Sequence, residues 1–362
     1  MNELEKARKI INEVDSEMAK LFERRMSAAE MVANYKKEHG LPILDSTREE
    51  EIIRRGSARV EDDELRAYYV NFLKDVMQVS KNYQSKLIEG MKVAYCGTEG
   101  AYAHIATNKI FPSAAKIAYP DFQSAYESVQ RGECDAAVLP VENSYNGEVG
   151  QVTDLLFSGD LYINNMFELA VSHDLLGTPD ATLDDIKDVV SHAQALGQCA
   201  NYIRSNNFTT HEYTNTALAA KHVATKGDKT LAAIASEEAA EIFGLKVLAR
   251  NINASRSNTT RFAVLSRSEN KNPSNKMDIY SVVLFTVKNE AGSLAKALDV
   301  IGGHGFNMRT LRSRPMKELL WQYYFYIEVE GNIHTENGKD MLRELESYCD
   351  RLKPAGTYSK QG

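Results

Sequence analysis

No run of apolar residues in this chain reaches the ~18 needed to span a bilayer, so no membrane-embedded segment is expected. A surplus of positive charge is also missing. A formal net charge of −7 over 362 residues gives no electrostatic reason for nucleic acid or an anionic membrane as partner. The four cysteines, Cys96, Cys134, Cys199 and Cys349, form no CxxC pair and no evident disulfide framework. They read as reduced thiols of a cytoplasmic protein. The eight histidines are scattered, with no HExxH and no Cys/His cluster, so no metal site is expected. Gly97-Thr-Glu-Gly100 is not GxGxxG, and no acidic residue follows at the distance a dinucleotide ribose requires. A nicotinamide cofactor is therefore excluded, and no cofactor of another kind is indicated. The opening Met-Asn-Glu-Leu-Glu-Lys is charged and helical in pattern, unlike a secretory signal. The length points to two or three domains.

From Leu4 to about Glu38 neither Gly nor Pro interrupts the chain, and apolar residues recur at helical spacing from Leu4 through Ile11, Met18 and Leu21 to Val32. At ~1.5 Å per residue this is a helix of about 50 Å, too long for a 90-residue globule to cover, so it is expected to pack on a second copy. Gly40-Leu-Pro42 should end it. Further helices are predicted over 46–58 and 63–89, the last with Leu65, Tyr69, Phe72, Val76, Val79 and Tyr83 as its buried stripe. Arg25 and Lys36 stand 11 residues apart, which returns them to one face. Arg8 lies 17 residues before Arg25 and is rotated by roughly 100°, so one helix would serve two sites, the second belonging to a two-fold partner. Asp45, Arg48 and Glu49 open the next helix, and Ser80 and Gln84 share a face of the third.

These residues, over essentially all of positions 1–90, resemble the all-helical class of chorismate mutase. The rearrangement of chorismate is pericyclic and needs no nucleophile. It needs a clamp on a folded dicarboxylate and stabilisation of charge on the breaking ether oxygen. The resemblance implies that Arg25, with Arg8 of the partner chain, holds carboxylates. It further implies that Lys36 and Gln84 donate to the ether oxygen, that Glu49 takes the ring hydroxyl, and that Asp45, Arg48 and Ser80 complete the cavity.

Residues 91–268 alternate strand and helix patterns, which predicts a mostly parallel α/β sheet in two lobes with a cleft between. Asn258-Thr-Thr-Arg-Phe262 reads as the front of a strand, with Thr260 and Arg261 able to face the cleft while Phe262 turns inward. Arg261 offers a planar fork for a carboxylate. Two more stretches converge on the same cleft, Leu139-Pro-Val-Glu142-Asn143-Ser144 and Ser191-His-Ala-Gln194-Ala-Leu-Gly-Gln198-Cys199. With Gly97-Thr-Glu-Gly-Ala-Tyr-Ala-His104 and Ala235-Ser236, these resemble prephenate dehydratase, whose implied fold is two-lobed and periplasmic-binding-like. Ala101, Ala103 and Ala193 depart from the usual residues of the family. Prephenate loses its ring hydroxyl and CO2 together, driven by aromatisation, so the enzyme must supply an acid at the hydroxyl and little else. The resemblance makes Thr260 that acid, with Arg261 on a carboxylate. Glu142, Asn143, Ser144, Ser191, Gln198 and Ser236 would bind and position the substrate.

The polar stretch Ser268 to Lys276 reads as a linker, and residues 276–362 follow a βαββαβ order. Gly292-Ser293-Leu294, Asn307 and Ser313-Arg314-Pro315 resemble the ACT domain, an α+β module that binds amino acids between subunits. Ser293 replaces the usual Ala, and Arg312 replaces the usual Glu. That charge reversal is expected to weaken inhibition by L-phenylalanine relative to the Arg312→Glu variant. The chain as a whole thus resembles the bifunctional chorismate mutase/prephenate dehydratases, in three domains, as a homodimer or larger homo-oligomer acting on chorismate and prephenate. A non-catalytic amino-acid sensor on a two-lobed fold is the alternative, as is an enzyme with one live site. The intact Thr260-Arg261 and Arg8, Arg25, Lys36 sets argue against a pure sensor.

Overall fold

The computed structural model describes residues 2–254, 258–273, 278–316 and 322–359. Part of the Asn251–Asn258 loop, the end of the expected linker (Ser274 to Lys276) and Trp321, the expected start of a strand, lie outside them. Contacts divide the chain into two compact units, residues 1–92 and 93–362. Among the described residues no helix is long and apolar enough to cross a membrane.

The first unit is three helices, α1 (Glu3–His39), α2 (Ser46–Ser57) and α3 (Asp63–Glu89). Asn2 and Glu5 form a capping box at the start of α1, and Gly40, at φ 63°, closes it in the left-handed conformation that glycine adopts without strain. Asp45 and Asp62 cap α2 and α3. The buried residues of α3 are Met77, Ser80 and Gln84, so the stripe is displaced from the expected one. Leu65, Phe72 and Val79, seven residues apart, are exposed instead. Leu4, Ile11 and Met18, and Val14 and Leu21, are exposed at the same spacing along α1. An apolar row repeating every seven residues is a seam for another helix.

The second unit begins with β1 (Lys92–Cys96), α4 (Tyr102–Ile110), β2 (Ala115–Tyr119), α5 (Phe122–Gln130), β3 (Ala136–Asn143), β4 (Gly147–Glu148), α6 (Gly150–Ser158) and β5 (Tyr162–Ala170). The chain then crosses to a second lobe: β6 (Asp174–Gly177), β7 (Asp188–Ser191), α7 (Ala193–Gln198), α8 (Ala200–Ser205), β8 (Thr209–Glu212), α9 (Thr216–Lys226), β9 (Leu231–Ala235), α10 (Glu237–Phe243) and β10 (Lys246–Ala249). It returns to the first lobe as β11 (Thr259–Ser266). The sheets run β2-β1-β3-β11-β5, with β4 on β3, and β10-β6-β9-β7-β8.

Both sheets are mixed, which corrects the expectation of mostly parallel pairing. β1–β3, β7–β8 and β7–β9 are parallel, but β11 is antiparallel to both its neighbours and β6 to both of its own. The cause lies at the crossovers. β6 and β10 are four-residue strands next to them, and segments that short carry no legible period.

A third sheet follows, from β12 (Ile279–Thr286), α11 (Ser293–Gly303), β13 (Met308–Pro315), β14 (Tyr323–Glu330), α12 (Glu336–Glu346) and β15 (Arg351–Ser359), in the order β13-β14-β12-β15. The βαββαβ sequence is as expected, and every neighbouring pair is antiparallel. Alternation divides its faces. Val283, Phe285 and Ile327 pack on Ala297, Ile301, Met341 and Leu345 of α11 and α12. Val282, Leu284, Tyr326 and Tyr358 share a core with Leu139, Ile163, Met166 and Ala263 of the first lobe. The closest approach is at Gly356, φ 137°, where a Cβ would sit 2.1 Å from the Ile163 carbonyl oxygen. Gly356→Ala should therefore cost roughly 2–3 kcal/mol by overpacking and backbone strain. Gly302→Ala, which has open space on α11, should cost little. Urea unfolding of the two variants beside the native chain checks this.

Candidate active sites

In the helical unit a cavity of about 360 Å³ is lined by Arg25, Lys36, Asp45, Arg48, Glu49, Ser80 and Gln84, all seven expected there, together with Val32, Ile52, Met77 and Lys81. Arg25 Nη1 donates to Ser80 Oγ and, at 3.3 Å, to the Val76 carbonyl. Burial lowers the pKa of this guanidinium, so an anion that meets it gains from a poorly hydrated cation. Lys36 Nζ donates to the Ile43 carbonyl at 2.6 Å. Asp45 is first of all the cap of α2, accepting from Arg48 N at 3.0 Å. Lys81, which pairs with Glu49 at 2.9 Å, was missed from sequence. Its signal was its place beside Ser80 and three residues before Gln84 on the lining face. The Gln84 Oε1 is buried without a hydrogen-bond partner, as an amide kept for a ligand would be. Arg8 is exposed on α1 and does not line this cavity.

Between the two lobes of the second unit a cleft of about 390 Å³ is lined by Asn143, Gln198 and Thr260, as expected, and by Tyr102, Glu148, His173, His192, Asn215 and Asn258. Asn143 Nδ2 donates to Thr260 Oγ1 at 2.9 Å and to Asn258 Oδ1 at 2.7 Å. With a donor on its oxygen, the Thr260 hydroxyl keeps its own proton for the cleft. Among the described residues lining the cleft there is no lysine or arginine. Positive potential comes instead from helix starts. Ala101 and Val149 line the cleft as the N-caps of α4 and α6, and neither supplies a side-chain cap, so main-chain N–H groups at those ends stay available.

The remaining expected residues lie elsewhere. Ser144 clamps the start of β11: its Oγ accepts from Thr259 N at 2.9 Å, and its N–H donates to the Thr259 carbonyl at 2.8 Å. Ser191 is buried, with Oγ bonded to the Ile234 carbonyl at 2.6 Å. Ser236 caps α10 and lines a neighbouring acidic hollow with Glu237, Glu238 and Asp174. These three hydroxyls hold structure around the cleft rather than lining it.

Arg261 and Glu142 are the main correction. They are opposite one another across β11 and β3, on the face away from Thr260 and Asn143. Adjacent residues of a strand point to opposite faces, so Thr260 and Arg261 cannot both enter the cleft. Arg261 Nη2 donates to Glu328 Oε2 and to the Tyr358 hydroxyl, each at 2.9 Å, and Nη1 donates to Glu142 Oε2 at 3.4 Å. Glu142 also pairs with Arg312. Arg312 thus points neither at an amino-acid pocket nor at solvent, but across to β3.

Arg314, two residues on along the same face of β13, grips α6. It donates to both carboxylate oxygens of Asp154, at 2.9 and 3.2 Å, while the Tyr324 hydroxyl donates to Asp154 at 2.6 Å. Its Nε stands 3.7 Å from Glu148, which lines the cleft. The other residues expected around an effector are near the surface. Gly292, in the left-handed conformation, caps α11, with Ser293 and Leu294 in its first turn, and Ser313 and Asn307 are exposed. Asn307 Nδ2 donates to Glu330 at 2.9 Å.

The chorismate mutase type II family profile matches residues 7–85, and the prephenate dehydratase profile matches residues 93–270. Over 369 aligned residues the chain is 31% identical to the bifunctional chorismate mutase/prephenate dehydratase of Aquifex aeolicus (strain VF5), with 99% of each chain covered. A solved prephenate dehydratase from Arthrobacter aurescens, in complex with L-Phe, superposes with a TM-score of 0.69 at 26% identity, covering 75% of this chain and 90% of that one. A protein described as GqqA, a novel type of quorum-quenching acylase, also gives 0.69, at 31% identity, covering 75% of this chain and 98% of that one. Two profiles side by side and an end-to-end likeness to an enzyme of both activities place this chain in the bifunctional chorismate mutase/prephenate dehydratase family of phenylalanine biosynthesis.

Proposed function

We propose that Thr260 is the proton donor of the dehydratase reaction, and the observation that carries this is the Asn143–Thr260 hydrogen bond at the cleft wall. In that reaction the Thr260 proton goes to the ring hydroxyl, which leaves as water. The bond to the ring carboxylate breaks, its electron pair enters the ring, and CO2 departs. Asn143 steadies the oxygen left behind, which then takes a proton from solvent. Helix starts at Ala101 and Val149 face the substrate's side-chain carboxylate. Among its described lining residues the cleft sets no lysine or arginine against the ring carboxylate, and weak stabilisation of that group favours its loss. Thr260→Val keeps the shape and removes the proton, so dehydratase kcat should fall at least ~10²-fold with mutase turnover unchanged. Near-normal conversion of prephenate by that variant would sink the assignment.

In the helical unit, Arg25, Arg48 and Lys36 meet the substrate carboxylates and ether oxygen, and Glu49 and Gln84 complete the grip. The exposed seven-residue rows on α1 and α3 support a two-fold pair of units in which the partner's Arg8 closes each cavity. Arg8→Ala and Arg25→Ala should then each be almost inactive as mutases. Dimers mixed from the two should recover part of the activity, because one of their two sites holds both wild-type arginines. Mixed dimers without recovery would confine α1 to its own chain.

The third sheet serves as an ACT domain that binds L-phenylalanine near Gly292, Ser293, Leu294 and Asn307, a reading supported by the L-Phe complex of the Arthrobacter relative. Its hold on the β3–β4 hairpin through Arg312–Glu142 and Arg314 supplies a physical route to Asn143 and Glu148. Arg312→Glu sets a second carboxylate beside Glu142, so it should destabilise the contact by on the order of 2 kcal/mol. It should also blunt phenylalanine inhibition, the reverse of what the charge pattern alone suggests. Titrating phenylalanine against both proteins tests the route, and equal inhibition would exclude it.

A further inference from the structure

The stretch that carries Ser191 and Gln198 also holds His192, which takes no part in the proton transfer. It is the N-cap of α7. His192, Gln194, Ala195 and Gln198 all line the cleft, so α7 runs lengthwise along its second-lobe wall. Gln198, at the far end of α7, accepts from Asn258 Nδ2 at 3.1 Å, and Asn258 Oδ1 accepts from Asn143, the partner of Thr260. The C-terminal end of α7 therefore stands at the Thr260 end of the cleft, and His192 stands at the opposite end. The 6 residues of the helix separate them by roughly 9 Å.

The cap fixes what the ring offers. The Gln194 main-chain N–H donates to His192 Nδ1 at 3.3 Å. A ring nitrogen that accepts carries no proton, so the proton of this imidazole is on Nε2, on the other side of the ring. Among the described residues no acceptor takes it. His192 thus presents a donor that cannot be exchanged for an acceptor without losing the cap, whereas a side-chain amide can simply turn over.

Prephenate carries its ring hydroxyl on one ring carbon and both carboxylates at the opposite end, one on the ring and one at the tip of the side chain. With the hydroxyl at Thr260, the side-chain carboxylate extends furthest from it, over a distance on the scale of α7. A donor on the ring carboxylate would resist its loss, but one on the side-chain carboxylate binds alike before and after the reaction. We infer that His192 is the second lobe's contact to the substrate, its Nε2–H donating to the side-chain carboxylate of prephenate. The inference rests on Thr260 as the acid, which fixes the end where the hydroxyl lies.

In the full-length protein, His192→Ser keeps a good N-cap and removes the imidazole donor. The KM for prephenate and the inhibition constant of the product, phenylpyruvate, should both rise about tenfold, with dehydratase kcat within about threefold of native and mutase turnover unchanged. Phenylpyruvate keeps the side-chain carboxylate and lacks the ring carboxylate and the hydroxyl, so its inhibition reports that one contact. Serine replaces a residue that only caps, so native constants in the variant would overturn the inference. A higher KM with phenylpyruvate inhibition unchanged would overturn it too, by moving the donor to another part of the substrate. If Thr260→Val is as active as native, the acid assignment falls, while the paired rise still decides the carboxylate contact. If Thr260→Val is inactive and no paired rise is seen, only the role of His192 falls. Should His192→Ser unfold, His192→Asn caps with its amide oxygen and leaves its NH2 short of the place of Nε2. It must then show the same paired rise for the inference to stand.

Discussion

Neighbouring side chains on a β-strand leave in opposite directions, and β11 uses that constraint at one dipeptide. Thr260 faces the cleft, and Arg261 faces the third sheet, where Glu328, Tyr358 and Glu142 receive it. The guanidinium is mostly withdrawn from water, and a cation there is tolerable only because carboxylates and a hydroxyl surround it. β3 repeats the arrangement with Asn143 inward and Glu142 outward. The two strands thus carry Thr260 and Asn143 on the cleft face and an ionic knot on the other. Whatever moves the knot acts on residues one peptide away from the cleft wall.

The two sites solve the same electrostatic problem differently. The helical cavity brings several cations to a dicarboxylate whose charges must be held together in a folded conformer. The cleft among its described residues offers amides, hydroxyls, histidines and helix starts. That suits a reaction in which one carboxylate has to leave as neutral CO2. A strong ion pair with it would stabilise the ground state more than the transition state.

Helical register made the first unit legible. The spacing of Arg25 and Lys36, and of Ser80 and Gln84, located the cavity because a 3.6-residue repeat fixes faces without knowledge of the rest of the fold. The strands were less forgiving. Thr260 and Asn143 were found, but Arg261 and Glu142 were drawn into the cleft with them, because short polar stretches at strand ends were read as units without their alternation. Arg312 was placed beside an effector for a related reason, since its partner Glu142 lies far away in sequence and no local pattern announces such a pair.

The position of β11 has a bearing on how the polypeptide is built. The second lobe, from β6 to β10, is a continuous segment whose strands pair only with one another, so it can form as soon as it has been made. The first lobe cannot. Its sheet lacks the strand between β3 and β5 until the whole second lobe has been synthesised, and until then β3 and β5 present unpaired edges. The third sheet then covers the core these strands share. Assembly therefore runs from the inserted lobe outward, and Thr260, on the strand that closes the first sheet, meets Asn143 only once both lobes exist.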